Sequence, residues 1–298
     1  MTTDRHRTHQ HRTHQHRADR HRTHQHREDR PSSGKTRFDD IYDLPDPRGY
    51  FRTLAPYEYE IPHHAQSVFR RTRDLRRQAS GDDRPSAVLD LCCSYGINAA
   101  LLNHDVTLAE LYTRYTSPKV AALTPQELIE YDKEFYARRR RPDATEIIGL
   151  DTAPNATRYA LDVGLLDEAY AENLERHPPS PALCRAVGRT GLITVTGGIG
   201  YISHHTFDAL LGCAREPLWV SAFVLRTVPY GRIAATLAAH GLVTVTDTSR
   251  TYPQRLFTSP EERRDAVREV IRAGADPTGL ESAGRYHTRL HESRPRTD

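Results

Sequence analysis

Two acidic residues each follow or end a run of apolar residues, and a loop of small residues follows the first. Asp90 lies in the run Ala87–Leu91, which the turn Cys92 to Gly96 follows, and Asp151 closes the run Glu146–Leu150. Such runs predict buried strands, and small residues after a strand let a ligand lie against the backbone. The sequence therefore predicts a ligand site where these strands end. Asp90 as a turn acid, and Asp151 as the N-cap of a helix beginning near Asn155, remain open.

Strands and helices that could position these residues alternate from Ala87 onward, which predicts a mostly parallel sheet with helices on both faces. The predicted strands are Ala87–Leu91, Glu146–Leu150, Ala169–Glu172, Leu192–Thr196, Leu218–Val228, Val243–Thr248 and Arg285–His291. The predicted helices are His63–Gln78, Ile97–Asn103, Leu108–Tyr115, Pro125–Arg141, Asn155–Val163, one after Ser203, Ile233–His240 and Pro260–Ala273.

The order of strand, small-residue turn and helix over Ala87–Leu102 resembles motif I of the class I S-adenosylmethionine-dependent methyltransferases. That motif has an acid followed by glycines at alternate positions. Asp90 and Gly96 match it, whereas Cys92 and Ser94 stand where the first two glycines usually are. The resemblance implies an α/β fold: a doubly wound, mostly parallel seven-stranded sheet with an antiparallel last strand, helices on both faces and an N-terminal helical extension.

The resemblance also implies S-adenosylmethionine as cofactor and a role for each strand end. The turn Asp90–Gly96 would face the methionine part, Asp151 would accept hydrogen bonds from both ribose hydroxyls, and Asn173 would contact adenine. The cofactor-binding residues implied in this way are Asp90, Cys92, Ser94, Gly96, Asp151, Thr152, Asn173, Leu174, Thr196 and Gly197.

Catalytic candidates come from the loops after the fourth and fifth strands. Methyl transfer needs two oriented reactants, and it needs a base only if the acceptor must lose a proton early. His205 or His204 is the preferred base, Tyr201 is a further candidate, and Arg226 could hold an acidic substrate group. The alternatives are that both histidines face solvent and that Arg226 forms an ion pair. Tyrosines of these loops or of the extension, such as Tyr57 and Tyr59, could stabilise a sulfonium through their ring faces, and the sequence does not show which one does.

The glycine-rich stretch Val195–Ile202 also resembles the start of a short-chain dehydrogenase. The next strand ends in Arg226-Thr227 without an acid for a ribose, and no lysine follows Lys133 to complete a Tyr–Lys pair. We therefore expect these glycines to bring backbone close to the reacting end of the cofactor.

The chain divides into three predicted parts. Residues 1–34 form a tail in which DRHRTHQHR occurs twice, residues 35–84 form an extension or lid, and residues 85–298 form the cofactor-binding domain. The tail has only Met1 and Ala18 as hydrophobic residues, too few for a core, so we expect it to be disordered and dispensable. The alternative is an arm that chelates metal or binds a polyanion. Asp90 and Asp151 are 61 positions apart, and helical residues 107–141 account for the long spacing as an insertion.

Charge and cysteine content favour a cytoplasmic protein. The chain carries +3, but residues 1–34 hold eight Arg against four Asp or Glu, so the remainder carries about −1 and indicates no nucleic-acid partner. The four cysteines form no CxxC pair, which favours reduced thiols and no metal site. No apolar run is long enough to span a membrane. The oligomeric state is open, a homodimer included.

The predicted function is methyl transfer from S-adenosylmethionine to a small-molecule acceptor. The Asn/Asp-Pro-Pro-Tyr motif of many amine and nucleic-acid methyltransferases is missing, and Gly197–Tyr201 occupies its place. Two alternatives are attack on, or cyclisation of, the aminocarboxypropyl arm of the same cofactor, and a non-catalytic module that binds it.

Overall fold

A mixed sheet forms the centre of the computed structural model, which describes residues 36, 38–80, 86–216 and 218–296. The strands are β1 (Ala87–Leu91), β2 (Ile147–Asp151), β3 (Glu168–Ala171), β4 (Thr190–Thr196), β5 (Trp219–Leu225), β6 (Leu242–Thr246), β7 (Tyr252–Leu256) and β8 (Arg285–Pro295). The helices are α1 (Arg48–Leu54), α2 (Ile61–Ser80), α3 (Ile97–Asn103), α4 (Leu108–Thr116), α5 (Pro118–Ala121), α6 (Pro125–Ala137), α7 (Pro154–Asp162), α8 (Pro181–Val187), α9 (His204–Cys213), α10 (Gly231–Ala239) and α11 (Pro260–Arg272). The tail predicted as disordered lies outside the described residues.

The strand order is β3-β2-β1-β4-β5-β8-β6. Strands β1 to β5 pair in parallel, whereas β8 runs antiparallel between β5 and β6. The order reverses at β1, which places the ends of β1, β2 and β4 side by side. This strand order is the one that the resemblance implies, so the predicted fold class is confirmed, including the antiparallel pairing of the last two predicted strands.

An additional strand, β7, was not predicted and pairs antiparallel with the start of β8. Its sequence is Tyr-Pro-Gln-Arg-Leu, in which a proline and two polar residues interrupt the apolar pattern that would predict a strand. Arg255 is buried in β7 because its guanidinium pairs with Glu262 of α11 at 2.6 Å. The strand is therefore held by its pairing with β8 and by a contact with the helix that follows it in the chain, and the described sheet has eight strands instead of seven.

Helices cover both faces of the sheet, as predicted. Val88 and Leu89, neighbours on β1, belong to different apolar clusters. One cluster includes residues of α1, α2, α3 and α7, and the other includes residues of α8, α9 and α10. Every residue of β1 is buried, which explains why its sequence is apolar except for Asp90.

Residues 107–141, predicted as a helical insertion, contain α4, α5 and α6. Thr107 with Glu110, and Thr124 with Glu127, form capping boxes that fix where α4 and α6 begin. Helix α6 ends at Ala137, earlier than the predicted Arg141. The Phe51 ring of α1 stacks on Tyr115 of α4 at a centroid distance of 4.7 Å. The insertion is thereby packed against the N-terminal extension.

Cys184 of α8 and Cys213 of α9 form a disulfide, with an S–S distance of 2.02 Å. The expectation that all four cysteines are reduced is therefore wrong for this pair, since the fold brings together two residues 29 positions apart. Cys92 and Cys93 are free. Within the described ranges, no helix combines the length and apolar character needed to cross a bilayer.

Candidate functional site

The turn after β1 has the backbone conformation that the glycines of the resembled motif would allow. Cys92 has a φ of 59°, Ser94 of 48° and Gly96 of 75°. Left-handed φ values cost a residue with a Cβ about 1–3 kcal/mol, so they persist only where surrounding contacts impose them. The alternating left-handed positions are thus retained at Cys92 and Ser94 although neither is glycine.

The carboxylate of Asp151 is one contact that imposes this conformation. Its Oδ2 accepts a hydrogen bond from the Ser94 N–H at 2.9 Å, and its Oδ1 accepts from the N–H groups of Thr152 at 2.7 Å and Ala153 at 3.1 Å. Burial raises the pKa of Asp151 despite these three donors. Asp151 does not serve as the N-cap of α7, a position taken by Ala153. Because a carboxylate oxygen has two lone pairs, Oδ2 can accept one further hydrogen bond.

Asp90 lies at the same edge of the sheet. Strand β1 pairs with β2 so that Leu91 is opposite Leu150, and the charge of Asp151 acts on Asp90. The Oδ1 of Asp90 accepts hydrogen bonds from Asn98 Nδ2 at 3.0 Å and Thr194 Oγ1 at 3.3 Å, which excludes a role as a turn or cap acid.

The second oxygen of Asp90 has no hydrogen-bond partner among the described residues, although the side chain is 1% exposed. Burial raises the pKa of Asp90 to about 7. The Ser94 Oγ is likewise buried without a partner among them. Unpaired polar atoms in the interior are costly, so two of them beside one turn indicate a place for a polar ligand.

Asn98, which was not predicted as a site residue, connects the end of β4 to this edge of the sheet. Its Nδ2 donates to Thr196 Oγ1 at 3.1 Å as well as to Asp90. A Cβ built on Gly198 would lie 2.5 Å from the Cys92 sulfur, so the glycine-rich loop packs directly on the β1 turn. Burial raises the pKa of the Cys92 thiol, which stays protonated. Thr196 is thus linked to Asp90 through Asn98, and Gly197 follows Thr196 in the chain.

Asn173 and Leu174, predicted as cofactor-binding residues, lie in the loop after β3. Asn173 Oδ1 accepts a hydrogen bond from the Glu175 N–H at 3.1 Å, and Leu174 is buried in the apolar core. Glu175 reaches the β4 loop, where it accepts hydrogen bonds from the Ser203 and Thr206 hydroxyls at 2.7 Å each. The loop after β3 is thus held against the loop after β4.

The N-terminal extension lies across both turns. Tyr95, within the β1 turn, donates its hydroxyl proton to the Ile41 carbonyl at 3.0 Å and accepts from the Leu44 N–H at 2.8 Å. Asn155, at the start of α7, donates its N–H to Asp43 Oδ1 at 2.7 Å. Residues 41–44 therefore bridge the ends of β1 and β2.

Three tyrosines gather beside this bridge. Tyr42, Tyr59 and Tyr201 lie close enough that ionisation of one would raise the pKa of another. The charge of Asp151 also raises the pKa of Tyr42. Burial raises the pKa of Tyr42 and of Tyr59 far above neutrality, so both hydroxyls are neutral donors and not bases. Tyr201, a predicted catalytic candidate, is 42% exposed and lies within electrostatic reach of Tyr42 and Tyr59.

The remaining catalytic candidates are less well placed. Arg226 donates to Glu281 Oε2 at 2.7 Å and to the Asp276 carbonyl at 2.6 Å, and both ion-pair side chains are at most 3% exposed. The prediction that Arg226 holds a substrate is corrected in favour of its alternative, an ion pair, because Glu281 and the Asp276 carbonyl take both terminal nitrogens of its guanidinium. His204 and His205 begin α9 with ring centroids 4.1 Å apart, and His205 is exposed. No described contact joins either histidine to Asp90 or Asp151.

Comparisons with known proteins give a likeness of fold. No family model and no curated protein matches the chain. Magnesium protoporphyrin IX methyltransferase from Synechocystis PCC 6803 with bound SAM is 13% identical, over 76% of this chain and 79% of that chain, with a TM-score of 0.35. A TehB-like SAM-dependent methyltransferase from Corynebacterium glutamicum is 12% identical, over 77% and 98%, with a TM-score of 0.35. The plantazolicin methyltransferase BpumL in complex with SAH is 11% identical, over 86% and 93%, with a TM-score of 0.38. Identities and TM-scores this low do not show an activity for this chain.

Proposed function

We propose that this chain is an S-adenosylmethionine-dependent methyltransferase that acts on a small-molecule acceptor. The observation that carries the proposal is the link between two strand ends, in which Asp151 binds the N–H of Ser94 within a turn of left-handed residues. An acid with a purely structural role would have its lone pairs occupied by neighbouring donors. Asp151 Oδ2 can instead accept one further hydrogen bond, and it lies near the unpaired oxygens of Asp90 and Ser94.

The residues at this edge fit the cofactor in charge and in hydrogen bonding. S-adenosylmethionine supplies a methyl group on a cationic sulfonium, a good leaving group. Asp90 would hold the cationic amino-acid end, since its unpaired oxygen favours a positive donor. Asp151 would hold the ribose hydroxyls through its spare lone pair, and the Ser94 hydroxyl would satisfy a further polar atom.

The chain's own contribution to the reaction is to orient the reactants and exclude water. The extension closes over the turns through Tyr95 and Asn155, and a water-poor site favours displacement over hydrolysis. Ring faces of Tyr42 and Tyr59 would stabilise a nearby positive charge. Because their hydroxyls stay neutral, neither tyrosine would deprotonate the acceptor.

The test of the cofactor site is calorimetry of S-adenosylmethionine with Asp151→Ala and Asp151→Asn. Losing a charged acceptor should weaken binding by about 1.5–3 kcal/mol, which is about 10- to 150-fold. The Asn variant keeps one acceptor oxygen and should lose less. Asp247→Ala is the matched control, since Asp247 also accepts a backbone N–H in a turn, from Ser249 at 2.9 Å. Unchanged affinity in folded Asp151 variants would remove this residue from the site.

The same preparation distinguishes the other chemistries. Protein incubated with cofactor alone should release no methylthioadenosine, because methyl transfer needs an acceptor. Release of methylthioadenosine without an acceptor would contradict the proposal and favour attack on the aminocarboxypropyl arm. Tight cofactor binding with no turnover across a broad acceptor panel would instead favour a binding module.

A further inference from the structure

Strand β7 contains a β-bulge at Gln254. Pro253 pairs with His287 and Arg255 pairs with Tyr286, which leaves Gln254 as the extra residue between them. A bulge redirects one side chain, and bulges are over-represented beside active sites. The Gln254 carbonyl accepts the Glu60 N–H at 2.8 Å, so the bulge is also where the N-terminal extension joins the sheet.

The side-chain amide of Gln254 is buried and unpaired. The residue is 0% exposed, and neither Oε1 nor Nε2 has a hydrogen-bond partner among the described residues. An amide withdrawn from water without partners is strongly unfavourable, and here both of its ends are affected. Neighbouring contacts hold it in place, because Arg255 is fixed to Glu262 by hydrogen bonds of 2.6 and 3.0 Å.

The amide faces the reacting edge of the sheet. A Cβ built on Gly197, at the end of β4, would lie 3.2 Å from Gln254 Nε2 and 2.9 Å from the Tyr59 hydroxyl. Strand β7 pairs with residues 285–288 of β8, and Thr288 is opposite Leu225, the last residue of β5. Gln254 therefore lies beyond the carboxyl ends of β4 and β5, across from the cofactor candidates on β1 and β2.

We propose that Gln254 recognises the acceptor, and that the acceptor is an aromatic carboxamide or lactam. This inference rests on the proposed function. A primary amide presents an acceptor and a donor side by side, and its complement is a group that presents a donor and an acceptor in the same way. Tyr59, whose hydroxyl lies beside Gly197, and the neighbouring Tyr42 would provide aromatic walls. A carboxylate fits less well, since it cannot donate to Oε1 and since Arg255 already pairs with Glu262.

Gln254→Met tests this assignment, because methionine keeps the length of the side chain and removes both polar atoms. The probes are benzamide and 2-pyridone, with benzoate as the acid counterpart, titrated into protein saturated with S-adenosylhomocysteine. We expect the wild type to bind both amides at least tenfold more tightly than benzoate. We expect Gln254→Met to lose at least tenfold in amide affinity with unchanged S-adenosylmethionine affinity.

Thermal unfolding separates recognition from a structural role. Removing an unpaired buried amide should raise the Tm of Gln254→Met by about 2–4 °C. Gln66→Met is the control, because Gln66 Nε2 donates to the carbonyls of Leu101 at 3.0 Å and Val106 at 3.2 Å. That variant should lower the Tm and leave amide affinity unchanged.

Three outcomes would overturn the inference: wild-type protein that does not prefer amides to benzoate, equal amide affinity in Gln254→Met, or a Tm lowered as in Gln66→Met. Failure of the wild type to bind S-adenosylmethionine would instead overturn the proposed function, and it is measured separately. The amide titrations would then be made on the free protein, where the same three outcomes apply.

Discussion

Ionisation of the buried Asp90 carboxyl lowers the stability of the folded protein. Its pKa is raised from 3.8 to about 7 because the carboxyl is buried, and charge on Asp151 adds to the effect. A raised acid pKa gives stability that is complete below about pH 4 and is lost as the pH rises through about 7. At about 1.4 kcal/mol per pKa unit, the loss amounts to about 4 kcal/mol at pH 8.

Asp90→Asn should therefore be more stable than the wild type at pH 8, with most of the gain gone at pH 5. Urea unfolding of the cofactor-free protein at both pH values measures this. Asp162→Asn, at an exposed position of α7, is the control and should show no such difference. The same gain at both pH values would mean that Asp90 does not titrate as proposed.

The positions of residues at strand ends could be predicted from the sequence where the sheet topology alone determines them. Asp90 and Asp151 meet because parallel strands end at one edge, and the apolar runs before them predict those strands. The left-handed φ of Cys92 was not predictable, because contacts from β2 and β4 impose the turn. The sequence left a substrate contact and an ion pair both open for Arg226, because its partner Glu281 lies 55 positions away.

At the scale of elements, Tyr95 is the attachment point of the extension. Tyr95→Phe removes one hydroxyl and leaves the Leu44 N–H and the Ile41 carbonyl without this partner. Each unmade hydrogen bond costs about 1–3 kcal/mol, so residues 41–44 should open locally without unfolding of the sheet. Amide hydrogen exchange should accelerate at these residues and remain slow in β1.

Tyr170→Phe is the matched control for this prediction. Tyr170 donates its hydroxyl proton to Glu168 at 2.6 Å, away from the extension. Its removal should leave exchange at residues 41–44 unchanged. If both variants accelerate exchange equally, or neither does, Tyr95 does not hold the extension.

Elements with local signals were predicted closely, and elements held by distant contacts were not. Strand β1 and helix α3 have the predicted bounds, and the capping sequences placed the starts of α4 and α6. Strand β7 was missed because Pro253 interrupts its pattern and because it is held by pairing with β8, from Tyr252 opposite Thr288 to Leu256 opposite Arg285. The disulfide between α8 and α9 was missed for the same reason, since it needs both helices on one face.

For the whole molecule, the arrangement predicts which N-terminal residues are required. The described contacts begin at Thr36, whose N–H donates to Glu262 Oε1 at 2.7 Å. The proposed site is built from residues between Ile41 and Gln254, so deletion of residues 1–34 should preserve the Tm and S-adenosylmethionine affinity. Calorimetry and thermal unfolding of the truncated protein measure both.

Deletion of residues 1–60 is the contrasting truncation. It removes Phe51 and Leu54, which are buried in the core, together with Tyr42 and Tyr59 of the site. Burying a large apolar side chain contributes about 1.5–3 kcal/mol, so this loss should unfold or aggregate the protein. If the shorter deletion also abolished cofactor binding, the tail would belong to the functional protein and the site assigned to residues 36–296 would be incomplete.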